Sequence, residues 1–252
     1  MNASSDFQKF LSVADPVALA ILGLLLMMSV GTWFYIVSKG WRYKQASVQT
    51  RQFLKQFWAA PDLEAVARQL RASGINDPFS HLVHHGFTAV EQHQSRQHNS
   101  LVEAGSAEDF LTRSLKRAID QDKARLEGGL TFLATVASSA PFVGLFGTVW
   151  GIYHALMAIS LSGQGGLDQV AGPVGEALIM TGLGLAVAIP SAVAYNIFVR
   201  LNRNTLVQLN SFAHDVFAFL STGLATGSLL HDVEKTSDRM ISRIQQSRSN
   251  GE

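Results

Sequence analysis

Two long apolar runs, 130–161 and 174–199, joined by a short polar stretch, 162–173, restrict what this chain can fold into more than any other feature. Neither run contains Lys, Arg or Asp, and together they hold one carboxylate, Glu176. Each exceeds the ~20 apolar residues that a helix needs to cross a bilayer. In hydrocarbon every backbone N–H and C=O must be paired within the segment, so such runs fold as helices. A connection this short makes them an antiparallel hairpin.

A third run, 17–38, is again long enough to span, and longer than the apolar core of a secretory signal. It leads into Lys39, Trp41, Arg42, Tyr43 and Lys44, a cationic and aromatic belt with no small-residue cleavage pattern, so an uncleaved first transmembrane helix is expected. The remaining sequence is helical in period. Phe53, Leu54, Phe57 and Trp58, then Leu63, Val66, Ala67 and Leu70, recur at three- and four-residue spacing. Asp62, Asp77 before Pro78, and Ser106 with Asp109 are helix starts, and Gly74 is a stop. With no proline between Ser106 and Pro141, one helix is expected to run through Gly128–Gly129 into the membrane, coupling the cytoplasmic body rigidly to the hairpin. After the third run, Leu206, Leu209, Phe212, Val216 and Leu220 form an apolar stripe. His214 and Asp215 within it favour a packing helix over a fourth span, and from His231 a frayed tail is expected.

The fold class expected is therefore all-α, a polytopic membrane protein with three transmembrane helices whose long helices extend into a cytoplasmic helical body. Lys and Arg set its orientation. They follow the first run, precede the second and follow the third, whereas 162–173 has none and 1–16 has Lys9 alone. By the positive-inside rule 1–16 and 162–173 are periplasmic, and 39–129 and 200–252 cytoplasmic. The formal net charge of +1 gives no reason to expect nucleic acid, and the absence of cysteine excludes disulfides and thiolate chemistry. There is no phosphate-binding loop, nucleophile elbow or HExxH sequence, so no enzyme activity and no cofactor is expected.

The polar residues within the hairpin are candidates for function. Thr148 and Thr181 are equidistant from the centre of the connection, so they should lie level in the membrane, roughly 22 Å from its cytoplasmic ends. Glu176 is five residues nearer the connection, roughly 7–8 Å further out. An intramembrane carboxylate faces a cavity or a partner, as a proton acceptor on an ion path or as a protonated interface residue. The threonines either line such a path or bond back to their own helices. Gly144, Gly147 and Gly151 on one run, with Ala177, Gly182, Gly184, Ala188 and Ser191 on the other, allow close helix approach. Pro141 and Pro190 should bend their helices. His154 is a relay or a polar anchor. The cluster His81, His84, His85, with His93 and His98 beyond, has helical spacing compatible with a metal, but no acidic or cysteine ligand at matching positions. It reads as a solvated helix face, and no metal is expected.

The stretches APFVGLFGTVWGI, 140–152, and EALIMTGLGLAVAIP, 176–190, closely resemble the ExbB/TolQ/MotA proton-channel family. The Ala140-Pro141 pair and the exit YNIFVR, 195–200, look more like ExbB than TolQ, and the four-span plan of MotA-type stators is lacking. The resemblance implies an inner-membrane ring, a homopentamer in ExbB, enclosing the helix of an ExbD-type single-span partner that supplies an Asp. Thr148, Thr181 and Glu176 would line the proton path, and the motor would energise TonB for outer-membrane uptake of iron chelates or vitamin B12. TolQ-like service in the envelope, or a scaffold that does not conduct, are the alternatives.

Overall fold

The computed structural model describes residues 16–61, 63–75, 77–96, 106–162 and 167–249. They form six helices in order: α1 Pro16–Ala59, α2 Leu63–Ser73, α3 Pro78–Arg96, α4 Ala107–Glu127, α5 Leu130–Ser162 and α6 Leu167–Ser249. No strand occurs among the described residues, and α1, α5 and α6 each contain a stretch long and apolar enough to cross a membrane. The expected all-α fold with three such helices is the observed one. Asp62 and His98 lie outside the described residues.

The chain divides into two units, the described residues within Met1–Lys44 and Glu127–Arg203, and those within Gln45–Leu126 and Asn204–Glu252. In the first, α1 packs on the hairpin through Ile21, Leu25, Val136, Ala140, Val187 and Ala188. Leu130, Leu133, Ala194 and Phe198 form a second cluster, with Tyr35 and Ile36 against it. The outward faces stay apolar: Val30, Phe142, Val149 and Ile189 are exposed. A face of that kind is matched to lipid or to another apolar helix, since water would penalise it.

One expectation fails here. The helix does not continue through Gly128–Gly129: α4 ends at Glu127 and α5 starts at Leu130. Gly129 has φ +79°, the left-handed region that interrupts a right-handed helix, and a Cβ there would lie 2.5 Å from the Tyr35 ring. Lys39 donates a hydrogen bond to the Gly128 carbonyl at 2.9 Å, satisfying a helix-end acceptor. The other boundaries shift less. α6 begins at Leu167, ahead of the expected third run, and continues to Ser249, past the expected fraying point. The helices run through Pro141 and Pro190 without a break.

The second unit is a helical bundle around Phe57, Val66, Phe79, Leu82, Leu111, Leu115, Leu209, Phe212 and Val216. Its helix ends follow the sequence signals. Ser106 Oγ accepts from the Asp109 N–H at 3.1 Å, and Asp77 Oδ2 from the Phe79 N–H at 3.2 Å. Gly74, with φ +72°, closes α2.

The solvated histidine face is also corrected. His81 is buried, and its Nδ1 lies 2.9 Å from Oδ2 of Asp122, itself 3% exposed. Asp122 continues the buried stripe Leu111, Leu115, Ala118 of α4. The His85 ring stacks edge-on against His81 at 4.6 Å, His84 is exposed, and Arg125 approaches Asp122 Oδ1 at 3.7 Å. Burial pushes the Asp122 carboxyl up from its ordinary range while the hydrogen bond from His81 pulls it down. Burial, then the neighbouring His81 and His84, hold His85 below its usual value, against the opposing pull of Asp122.

Replacing His81 by Ala strands a buried carboxylate, so the purified protein should lose about 1–3 kcal/mol of stability, read as a lowered melting temperature. The fold favours neutral His85. Its contribution should be complete above the ordinary value of 6.5 and lost as pH falls through the lower folded value. A melting-temperature profile against pH checks this, and His85→Gln should flatten the acid side.

Candidate functional site

The site is built by two helix backbones that nearly touch. A Cβ on Gly144 would lie 2.6 Å from the Met180 carbonyl oxygen and 3.1 Å from the Gly184 Cα, and one on Gly184 would lie 2.7 Å from the Ala140 carbonyl oxygen. Those obstacles are backbone, which cannot swing aside. Towards the 163–166 connection, Gly147 meets the Met180 side chain and Gly151 the Ala177 Cβ. Side-chain-free positions thus step up α5 as their partners step down α6, the small-residue packing expected of helices within lipid. At the other end Ser191, fully buried, donates to the Leu133 carbonyl at 2.9 Å and fastens α6 to α5.

Thr148 and Thr181 sit inside this seam. Their hydroxyl oxygens are 2.5 Å apart, in hydrogen-bond contact, so the equal depth expected from the sequence is observed. Thr148 is 6% exposed, and its Oγ1 also lies 3.2 Å from the Gly144 carbonyl and 3.1 Å from that of Ala177. One hydroxyl proton cannot serve three acceptors at once. Thr148 therefore donates to one carbonyl while accepting from Thr181, or donates to Thr181. Thr181 is half-buried, the more accessible of the two. Thr148 thus bonds back to its own helix and also across to α6, the helix-packing role open to an intramembrane threonine.

Glu176 lies on α6, but its side chain falls outside the described residues. His154 is half-buried near the far end of α5, with Nδ1 3.1 Å from the Trp150 carbonyl and its ring 4.5 Å from the Trp150 ring.

Residues 76–211 match the family described as the MotA/TolQ/ExbB proton channel family, a region that holds all of α5 and the hairpin part of α6. The chain belongs to that family. It is 38% identical over 209 residues to a biopolymer transport protein ExbB of Xanthomonas campestris pv. campestris, covering 82% of this chain and 83% of the relative. It is 35% identical to an ExbB of Neisseria meningitidis, over 80% of this chain and 91% of the relative. A Tol-Pal system protein TolQ of Pseudomonas aeruginosa is 32% identical, over 83% and 90%. Membership assigns the coarse function, a motor subunit of proton-channel type.

Two polar features escape the sequence reading. In the sequence Ser191 reads as one of the small residues that allow close helix approach, although an intramembrane hydroxyl opposite a second helix signals an interhelical bond. The His81–Asp122 pair was missed because its members lie 41 residues apart. An acid at a stripe position of α4 was the available signal.

Gly182 and Gly184 separate packing from composition. Gly184→Ala should destabilise the hairpin by about 1–3 kcal/mol through overpacking against backbone. Gly182→Ala, where a Cβ meets nothing within 4 Å, should be neutral. Thermal unfolding of the two variants in one detergent measures the difference.

Proposed function

We propose that this chain is the inner-membrane subunit of a proton-driven motor that, with an ExbD-type partner, uses the proton-motive force to energise TonB-dependent import. In this reading the N-terminus and the 162–173 segment face the periplasm, and the segments 39–129 and 200–252 face the cytoplasm. The proposed spans are 17–38, 130–161 and 174–199, in a self-associating ring, a homopentamer as the resemblance implies.

The observation that carries the reading is the part-buried Thr148–Thr181 hydroxyl pair, set in the seam between two helices that each contain a stretch apolar enough to cross a membrane. Hydroxyls can pass a proton along but do not hold one at neutral pH, and α5 and α6 bring no Asp, Glu, Lys or Arg to that depth. A path through Thr148 and Thr181 therefore requires an acid from outside this chain, the Asp of a single-span partner. Glu176, about one and a half turns nearer the periplasm, is the proposed outer acid of the path. Gly144, Gly147 and Gly151 hold the seam, and no metal or cofactor takes part. ExbB service is favoured over TolQ service by the identity to the Xanthomonas campestris and Neisseria meningitidis ExbB relatives, 38% and 35% against 32% for TolQ.

In a strain lacking the native gene, Thr148→Val with Thr181→Val should abolish energised uptake while the complex still assembles, and Thr148→Ser should retain it. Wild-type uptake by an assembled double variant leaves the scaffold reading. Replacing Glu176 by Gln should alter the pH dependence of uptake, and an unchanged profile would remove its titrating role. Complementation of a Tol-deficient strain instead of a TonB-energisation-deficient one would assign the TolQ-like service.

A further inference from the structure

The proton-path reading gives no role to the titratable cluster buried between α3 and α4. His81 of α3 is 9% exposed and Asp122 of α4 only 3%. A carboxylate can only accept, so the His81 Nδ1–H donates to Asp122 Oδ2 across 2.9 Å. One turn along α3, the Ser114 hydroxyl of α4 donates to the His85 backbone carbonyl at 3.2 Å. These two bonds fasten α3 to α4. The half-buried His85 ring lies edge-on to His81 at the same joint, with the ring centroids 4.6 Å apart.

The groups around His85 decide what a proton does there. His81 and the exposed His84 share its helix, and Asp122 and Arg117 of α4 act on it through their charges. Arg51 and Lys55 of α1, the charged residues of α2, and His214 and Asp215 of α6 are all exposed. Asp122 is therefore the carboxylate that acts on His85, and it is already engaged by His81 at 2.9 Å and approached by Arg125 at 3.7 Å. The backbone beside the ring has no slack either. A Cβ on Gly86 would lie 2.7 Å from the Leu220 side chain and 3.4 Å from those of Leu115 and Val216. Burial, the two neighbouring imidazoles and Arg117 disfavour a charged His85 more than Asp122 favours it.

We propose that His81, His85 and Asp122 form an acid-operated latch: acidification of the cytoplasmic side charges His85, releases α3 from α4 and slows the motor. Hydronium gives a proton to the neutral imidazole, leaving water and imidazolium, and no electrons are exchanged. Opening lets the charged ring reach water. It also removes the brace from α4, which only Gly128 and Gly129 separate from α5. The closed joint prefers neutral His85, whereas an opened α3 returns it to its ordinary value of 6.5. Each pH unit below that value therefore favours the open form by up to about tenfold. Asp122, pushed up by burial, titrates in the opposite sense and remains in place when His85 alone is replaced. A motor that delivers protons to the cytoplasm would thus be slowed there by its own product. The slowing rests on the proton-driven reading, and the opening of α3 does not.

The first measurement is deuterium uptake by the α3 segment of the full-length protein in detergent, corrected for the intrinsic pH dependence of exchange. In the wild type, exchange of α3 amides should quicken roughly tenfold between about pH 7.5 and 5.5, and in His85→Gln it should stay nearly constant. Equal protection of wild-type α3 at both values overturns the latch without recourse to any variant, and so does an equal loss of protection in His85→Gln. The second measurement is proton flux through the complex with its single-span partner in vesicles, at equal pH on both sides and under a fixed potassium diffusion potential. Wild-type flux should fall over the same range while His85→Gln holds it. The same fall in both, or none in the wild type, overturns control of the motor by the latch. If Thr148→Val with Thr181→Val conducts as the wild type does, the path reading fails, and α3 exchange still decides the latch.

Discussion

The near-contact of two backbones at Gly144 and Gly184 is the constraint on which the hairpin rests. With the obstacle to any side chain being a carbonyl oxygen or a Cα rather than a flexible group, neither helix can rotate or slide without a clash. That fixes the register, and the register brings Thr148 to Thr181 and Ser191 to the Leu133 carbonyl. Hydrophobic burial cannot supply this specificity, because lipid is as good a solvent for Leu and Val as a neighbouring helix is. Shape and a few hydrogen bonds must do so instead, and both are concentrated along this seam.

The arrangement also separates the chain's two kinds of polar chemistry. In the hairpin, Thr135, Ser138, Ser139, Thr148 and Ser191 place their hydroxyls on backbone carbonyls. In the unit formed by Gln45–Leu126 and Asn204–Glu252, a full carboxylate is buried against a histidine. Such hydroxyl bonds bring no formal charge where desolvation is most unfavourable. The second tolerates it because His81, Arg125 and the bundle around them can respond.

How much of this was legible in the sequence follows from how local each signal is. The three apolar runs, the cap at Ser106 and the stop at Gly74 are properties of short stretches. The level pairing of Thr148 with Thr181 was legible because two antiparallel helices share one rise per residue, so that counting from their connection gives depth. The break at Gly128–Gly129 was not. A glycine pair is compatible with a helix, and the Tyr35 ring that leaves no room for a Cβ at Gly129 comes from a residue far away in the chain. The burial of His81 was hidden for the same reason, its partner lying on another helix. Nothing local indicated that Thr148 would bond to α5 and α6 together.

That last geometry bears on directionality. A hydroxyl with a single hydrogen and several oxygen neighbours is a dipole with more than one resting orientation, and Thr148 has carbonyls on both helices and a second hydroxyl to choose among. Moving a proton through such a group inverts the dipole, and a second proton cannot follow the same way until the hydroxyl has turned back. On the proposed proton path the seam between α5 and α6 would have to be reset after each event, at a rate governed by how firmly the carbonyls of Gly144 and Ala177 hold one threonine hydrogen.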